Sequence, residues 1–184
     1  QVEIPALAQY VSKTDRGTTL SVEGVDVQTT EHVLAALVGC GINNCRIELN
    51  GAEVPILDGS SKPFIEAIQT AGIQDQEAQQ EIFVVQENIH ITDEASGSEI
   101  LIVPAESTSL TVLIDFETKV LGTQNAVLHK MEDFPSEIAS SRTFSFLHEL
   151  ETLLEQNLIK GGDLNNAIVY VNKTLDKETM DRLK

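Results

Sequence analysis

Apolar and polar positions change rhythm several times along this chain, and each change predicts an element. Leu20 to Val27 reads as an extended segment. After Thr29 and Thr30 the period becomes helical. Val33, Leu34, Ala36 and Leu37 fall at core spacing, and either threonine is a candidate cap. Gly39 and Gly41 close that helix and Asn43-Asn44 turns the chain. Arg46-Ile47-Glu48-Leu49 alternates as a strand, and Asn50-Gly51 predicts a hairpin turn after it. Val54 to Leu57 runs into the turn Asp58-Gly59-Ser60. Pro63 then opens a second helix carrying Phe64, Ile65, Ile68 and Ala71, with Gly72 at its end.

A polar, aperiodic stretch follows and reads as a linker over 75–81, dividing the chain into units 1–74 and 82–184. The second unit starts again with strands. Ile82 to Ile91, Ile100 to Val103, Leu110 to Phe116 and Thr123 to Leu128 are rich in residues that suit a pleated surface. A helical zone between Pro135 and Leu158 carries Leu147, Leu150, Leu153 and Leu154 as a stripe. Gly161-Gly162 breaks it, Ala167 to Val171 predicts a last strand, and Leu175 to Lys184 reads as helix. Two successive strand-then-helix units predict an α+β fold of two layers packed on each other, although no residue-level repeat links the halves.

Composition narrows the functions available. With 184 residues and 41% hydrophobic content the chain can bury a core as one domain or two small ones. Its net charge is −17 and it shows no basic patch, which excludes a nucleic-acid binder of the usual kind. An anionic substrate would need locally placed cations against that field. No apolar run is long enough to cross a membrane, and no signal-peptide pattern is visible. Cys40 and Cys45 have neither metal-knuckle spacing nor the number for a disulfide framework. They read as buried free thiols, which fits a reducing cytoplasm.

The candidate chemistry begins at Thr30-Glu31-His32. The triplet places a carboxylate and an imidazole side by side in the first turn of the first helix. The positive end of the helix dipole favours an anionic Glu31 and disfavours a proton on His32. A neutral imidazole can ligate a metal and a nearby carboxylate can act as general base. Many helices start this way with no such role, so the triplet acquires meaning only in company.

That company is present. Thr30-Glu31-His32-Val33-Leu34-Ala35-Ala36-Leu37 is followed by Glu53-Val54-Pro55-Ile56-Leu57-Asp58-Gly59-Ser60 with Pro63-Phe64. Then come Ser141-Arg142-Thr143-Phe144 and Gly161-Gly162-Asp163-Leu164-Asn165-Asn166-Ala167-Ile168-Val169. In this order the segments resemble the UDP-3-O-acyl-N-acetylglucosamine deacetylases, zinc enzymes of lipid A synthesis in Gram-negative bacteria, over nearly the whole chain. The resemblance implies a duplicated fold of the ribosomal S5 domain 2-like kind, in which each of two similar α+β domains layers a sheet on helices. It also implies zinc-assisted hydrolysis of the sugar's N-acetyl group. By position it makes His32 a zinc ligand, Glu31 the general base and Thr143 the residue that steadies the oxyanion. Phe144, Leu150, Ile159, Gly162 and Val169 would line an apolar passage for the acyl chain, and Phe116 would contact the nucleotide. Ordinary core packing is the alternative for Leu150, Ile159 and Val169. Asp58-Gly59-Ser60 reads as a structural turn.

The departures carry weight too. The family's other zinc ligands, a His and an Asp four residues on, and a further downstream His would follow Lys184. The family's opening strands would precede Gln1. The chain therefore reads as an incomplete form with one zinc ligand of three, inactive alone. His129 and Asp133 have the right spacing but precede the Arg-Thr-Phe segment, and they read as coincidence. His90, in a strand, and His148, on a helix surface, have no partner pattern. The acid at Asp163 and the helical tail resemble the branch of the family, in Bacteroidetes-like bacteria, fused to a 3-hydroxyacyl-carrier-protein dehydratase. Two rival readings remain open: a non-catalytic relative that binds an acylated sugar or a protein partner, and a different metal site built from His32, His129 and Asp133.

Overall fold

The computed structural model describes residues 2–147, 165–171 and 177. Three short strands open it, β1 (Val11–Lys13), β2 (Thr19–Val22) and β3 (Val25–Val27), paired antiparallel in that order. The segment expected to run extended from Leu20 to Val27 is in fact a tight hairpin, with Val22 opposite Val25. Glu23 and Gly24 both take positive φ, 51° and 79°, as a two-residue turn between twisted strands requires. Glu23 carries no pattern signal for such a turn, which is why the hairpin was hidden.

Helices α1 (Glu31–Gly39) and α2 (Lys62–Ala71) follow as the apolar spacing predicts. Proline opens α2 where its missing N–H costs nothing, and Gly72 closes it at φ 83°. The two helices pack together around Ala36 and Ile65, with Cys40, Phe64 and Ile68 at the margin. The same core takes in Ala139 and Phe134 from the second half of the chain. Phe134 opens α3 (Phe134–Glu137), which follows a 3₁₀ turn at Met131–Asp133, and Ala139 lies in the turn just after that helix. Gly39 makes this docking possible, because a Cβ there would run into the Phe134 ring. Burying a side chain such as Ile65 contributes about 1.5–3 kcal/mol, so this small cluster is a principal tie between the halves.

The remaining strands form pairs. β4 (Ile89–Asp93) and β5 (Ser98–Ile102) make one antiparallel hairpin, β6 (Leu110–Asp115) and β7 (Thr123–Leu128) another. β8 (Phe144–Phe146) and β9 (Ile168–Tyr170) pair in parallel, with Phe144 opposite Ile168. The α+β class expected from the sequence is what the chain has.

Several expected elements differ. Arg46 to Leu49 is not a strand and Asn50-Gly51 is a bend with no hairpin. The four residues are exposed, and among the described residues no strand pairs with them. Pairing occurs farther on, where the Gln28 amide donates to the Ala52 carbonyl and the Val54 amide to that of Gln28. Of Ile82 to Ile91 only the last three residues lie in a strand, and Phe83 is 83% exposed. The helical zone from Pro135 is interrupted by β8, where buried Ser145 sits between Phe144 and Phe146 in strand alternation. Leu147 is buried beyond it. Leu150, Leu153, Leu154, Gly161, Gly162 and the tail apart from Lys177 lie outside the described residues.

Candidate active site

The first turn of α1 is held by Thr18, the residue just before β2. The Thr18 carbonyl accepts both the amide and the hydroxyl of Thr30, each at 3.1 Å. Thr30 therefore does not cap the helix with its side chain as expected, because its hydroxyl is committed to the Thr18 carbonyl, just before β2. Thr29 does not cap it either. It takes φ 58° and donates its hydroxyl to Glu53 Oε1 at 2.8 Å.

Glu31 and His32 come together at this anchored turn. The Thr18 amide donates to Glu31 Oε2 at 2.8 Å, and Glu31 Oε1 lies 3.9 Å from His32 Nε2. The His32 side chain is 14% exposed and that of Glu31 35%. A fixed carboxylate beside a shielded imidazole can accept a proton from a molecule bound next to both.

Thr143 is positioned by a different device. Asp58 Oδ1 accepts the amide and the hydroxyl of fully buried Ser60, at 3.0 and 2.8 Å, which fixes a tight turn before α2. The turn presents its own carbonyls outward. The Asp58 carbonyl accepts Arg142 Nε and the Gly59 carbonyl accepts the Thr143 amide, both at 2.7 Å. The Thr143 carbonyl in turn accepts the Ile168 amide at 2.9 Å and so starts the β8–β9 pair. Gly59 has φ 82°, and a Cβ there would meet the Asn166 carbonyl and the Thr143 methyl. The turn is thus structural, and what it holds is Thr143.

Phe144 sits in an aromatic cluster. Its ring meets Phe116, Phe146 and Tyr170 edge to face, with centroids 5.4, 5.8 and 5.5 Å away. It remains 39% exposed, so part of the ring is free to touch another molecule. Phe116 follows β6, and Val169 lies on β9 opposite Ser145. Leu150, Ile159 and Gly162 lie outside the described residues.

The other candidates separate. His129 is in a bend after β7 and Asp133 ends a 3₁₀ turn, so the two do not share the face of one helix. Among the described residues no three of His, Cys, Asp or Glu gather as a metal site, which removes the reading built on His32, His129 and Asp133. His90 pairs with Glu99 at 3.5 Å on an exposed hairpin, and His148 is outside the described residues. Both cysteines are free, but only Cys40 is partly buried. Cys45 is exposed, and the strand expected to begin there does not form. Sequence reasoning did not single out Gly17 and Thr18. Their partner Glu31 is 13 residues from Thr18, and no short motif joins them.

The sequence profile of the family described as UDP-3-O-acyl N-acetylglycosamine deacetylase matches residues 1–182. The chain belongs to that family. It is 44% identical over 183 residues to a protein of Bacteroides thetaiotaomicron named bifunctional enzyme LpxC/FabZ, matching 100% of this chain and 40% of that one. It is 45% identical over 169 residues to the UDP-3-O-acyl-N-acetylglucosamine deacetylase of Myxococcus xanthus, matching 91% of this chain and 53% of that one. With the Hahella chejuensis deacetylase it shares 40% identity over 171 residues, 91% of this chain and 56% of that one. The chain thus spans between two fifths and three fifths of the curated relatives it matches. Among the described residues no helix is long and apolar enough to cross a membrane.

Proposed function

We propose that the full-length protein removes the N-acetyl group of UDP-3-O-acyl-N-acetylglucosamine in the cytoplasm, as a zinc-dependent step of lipid A synthesis. Membership of a deacetylase family supports the reaction class. The observation that carries the site is the Glu31 carboxylate held by the Thr18 amide beside a shielded His32.

In this reading Glu31 takes the proton of the attacking water, and its fixed Oε2 leaves Oε1 as the acceptor. The Thr143 hydroxyl donates to the oxygen on which negative charge develops, at a position set by the Gly59 carbonyl. Phe144 and Val169, with Leu150, Ile159 and Gly162, give the acyl chain an apolar passage, and Phe116 meets the nucleotide. Zinc, when bound, lowers the pKa of water and polarises the amide carbonyl. His32 is one ligand for it. A catalytic zinc needs three protein ligands, and the described residues do not gather them, so they do not hold the ion by themselves. The relatives named LpxC/FabZ make a fused dehydratase domain part of the same proposal.

The test is acetate release from the acylated UDP-sugar by the full-length protein, with zinc counted per chain. Glu31→Ala is expected to lower kcat by about 10²–10⁴-fold with zinc retained, and His32→Ala to lose zinc as well. Full activity in Glu31→Ala would overturn the proposal and favour a binding relative.

A further inference from the structure

We infer that Gly17 and Thr18 are positioning residues for the Glu31 carboxylate, an inference that rests on the reading of Glu31 as a base. The two oxygens of Glu31 meet this segment differently. Oε2 is held by the Thr18 amide at 2.8 Å. Oε1 lies over Gly17, where a Cβ would stand 3.2 Å from it, closer than such contacts ordinarily come. Thr18 fixes one oxygen by a charge-assisted hydrogen bond, and Gly17 leaves room for the other to face outward toward His32.

The rest of the segment makes the clamp stiff. The Thr18 carbonyl is bound twice by Thr30, and buried Thr19 begins β2 directly after it. Thr18 is therefore joined to the helix start, so the amide that holds Oε2 is itself fixed and the acid swings only by giving up that bond. Gly17 does not need to be glycine for its own conformation, since its φ lies outside the positive range. The absence of a side chain there serves the neighbour. Among the described residues, the atoms nearest to such a Cβ all belong to the Glu31 carboxylate.

Because the backbone tolerates an L-residue, substitution of Gly17 is a clean probe. In the full-length protein Gly17→Ala pushes Oε1 by a few tenths of an ångström and Gly17→Val pushes it farther. A misplacement of about 1 Å at a reacting group costs roughly 10²-fold. We expect kcat to fall about tenfold in the alanine variant and more in the valine variant, with KM, zinc per chain and thermal midpoint near wild type. The decisive arm repeats both substitutions in a Glu31→Gln background. A residue that acts through Glu31 costs nothing further there, whereas a merely structural one costs the same again. Wild-type kcat in both single variants, or an equal further loss in the Glu31→Gln background, would overturn this inference and leave the role of Glu31 standing. Loss of no activity in Glu31→Gln itself would instead overturn the reading on which it rests.

Discussion

The Thr143 amide and the Gly59 carbonyl, 84 residues apart, meet at 2.7 Å. This bond ties the backbone of Thr143, whose hydroxyl we propose as the oxyanion donor, to the Asp58–Ser60 turn.

Gly59→Ala should therefore be severe. The new Cβ has to share space with the Asn166 carbonyl, in a backbone conformation that favours glycine. We expect a loss of about 3 kcal/mol or more in urea unfolding, along with lowered kcat in the folded fraction. A loss under 1 kcal/mol would mean that the turn and the β8–β9 pair are not rigidly joined.

Gly39 supports a second joint. Gly39→Ala is expected to destabilise by about 1–3 kcal/mol through overpacking against Phe134. Pairing it with Phe134→Leu should recover part of that loss, because the smaller side chain frees the space. Strict additivity in the double-variant cycle would show that the contact is not the cause.

Thr143 tests the donor directly. Thr143→Val keeps the shape and removes the hydroxyl, and kcat should drop by about 10²–10³-fold with KM little changed. Thr143→Ser should retain most of the rate. Equal losses in both variants would point to packing rather than a hydrogen bond.

The thiols provide a pH test. Burial pushes the Cys40 thiol above its ordinary value, while Cys45 is exposed. A raised folded value means that Cys40 contributes stability fully below the unfolded thiol value. That contribution is lost as pH rises through the folded one. Maleimide should label Cys45 first at neutral pH. Above about pH 9 the folded protein should lose stability relative to Cys40→Ala. Equal labelling rates for the two cysteines would contradict the burial.

What could be read from the sequence followed from how local each signal was. Helices α1 and α2 announce themselves because apolar period, proline and glycine all lie within one element. Strand β7 and the final strand β9 fall within stretches that read as strands. Arg46 to Leu49 failed because alternation says which face a strand would have, not whether a neighbour exists to pair with it. The hairpin at Glu23-Gly24 failed because glutamate carries no residue signal for the positive φ that it takes there. At the site, Glu31 and His32 were visible as adjacent residues. The supports for Glu31 and Thr143 were not, since Thr18 and Gly59 act through backbone groups that every residue possesses.

The aromatic cluster around Phe144 also gives the molecule an optical handle. The chain has no tryptophan and two tyrosines, and one of these, Tyr170, stands 5.5 Å from the Phe144 ring on β9. That tyrosine absorbs in the near ultraviolet where Thr143, the glycine turn and the parallel strand pair converge. A ligand entering beside Phe144, or a slackening of that seam, would therefore alter the absorbance of a native residue, and the junction of the two halves can be watched without adding a label.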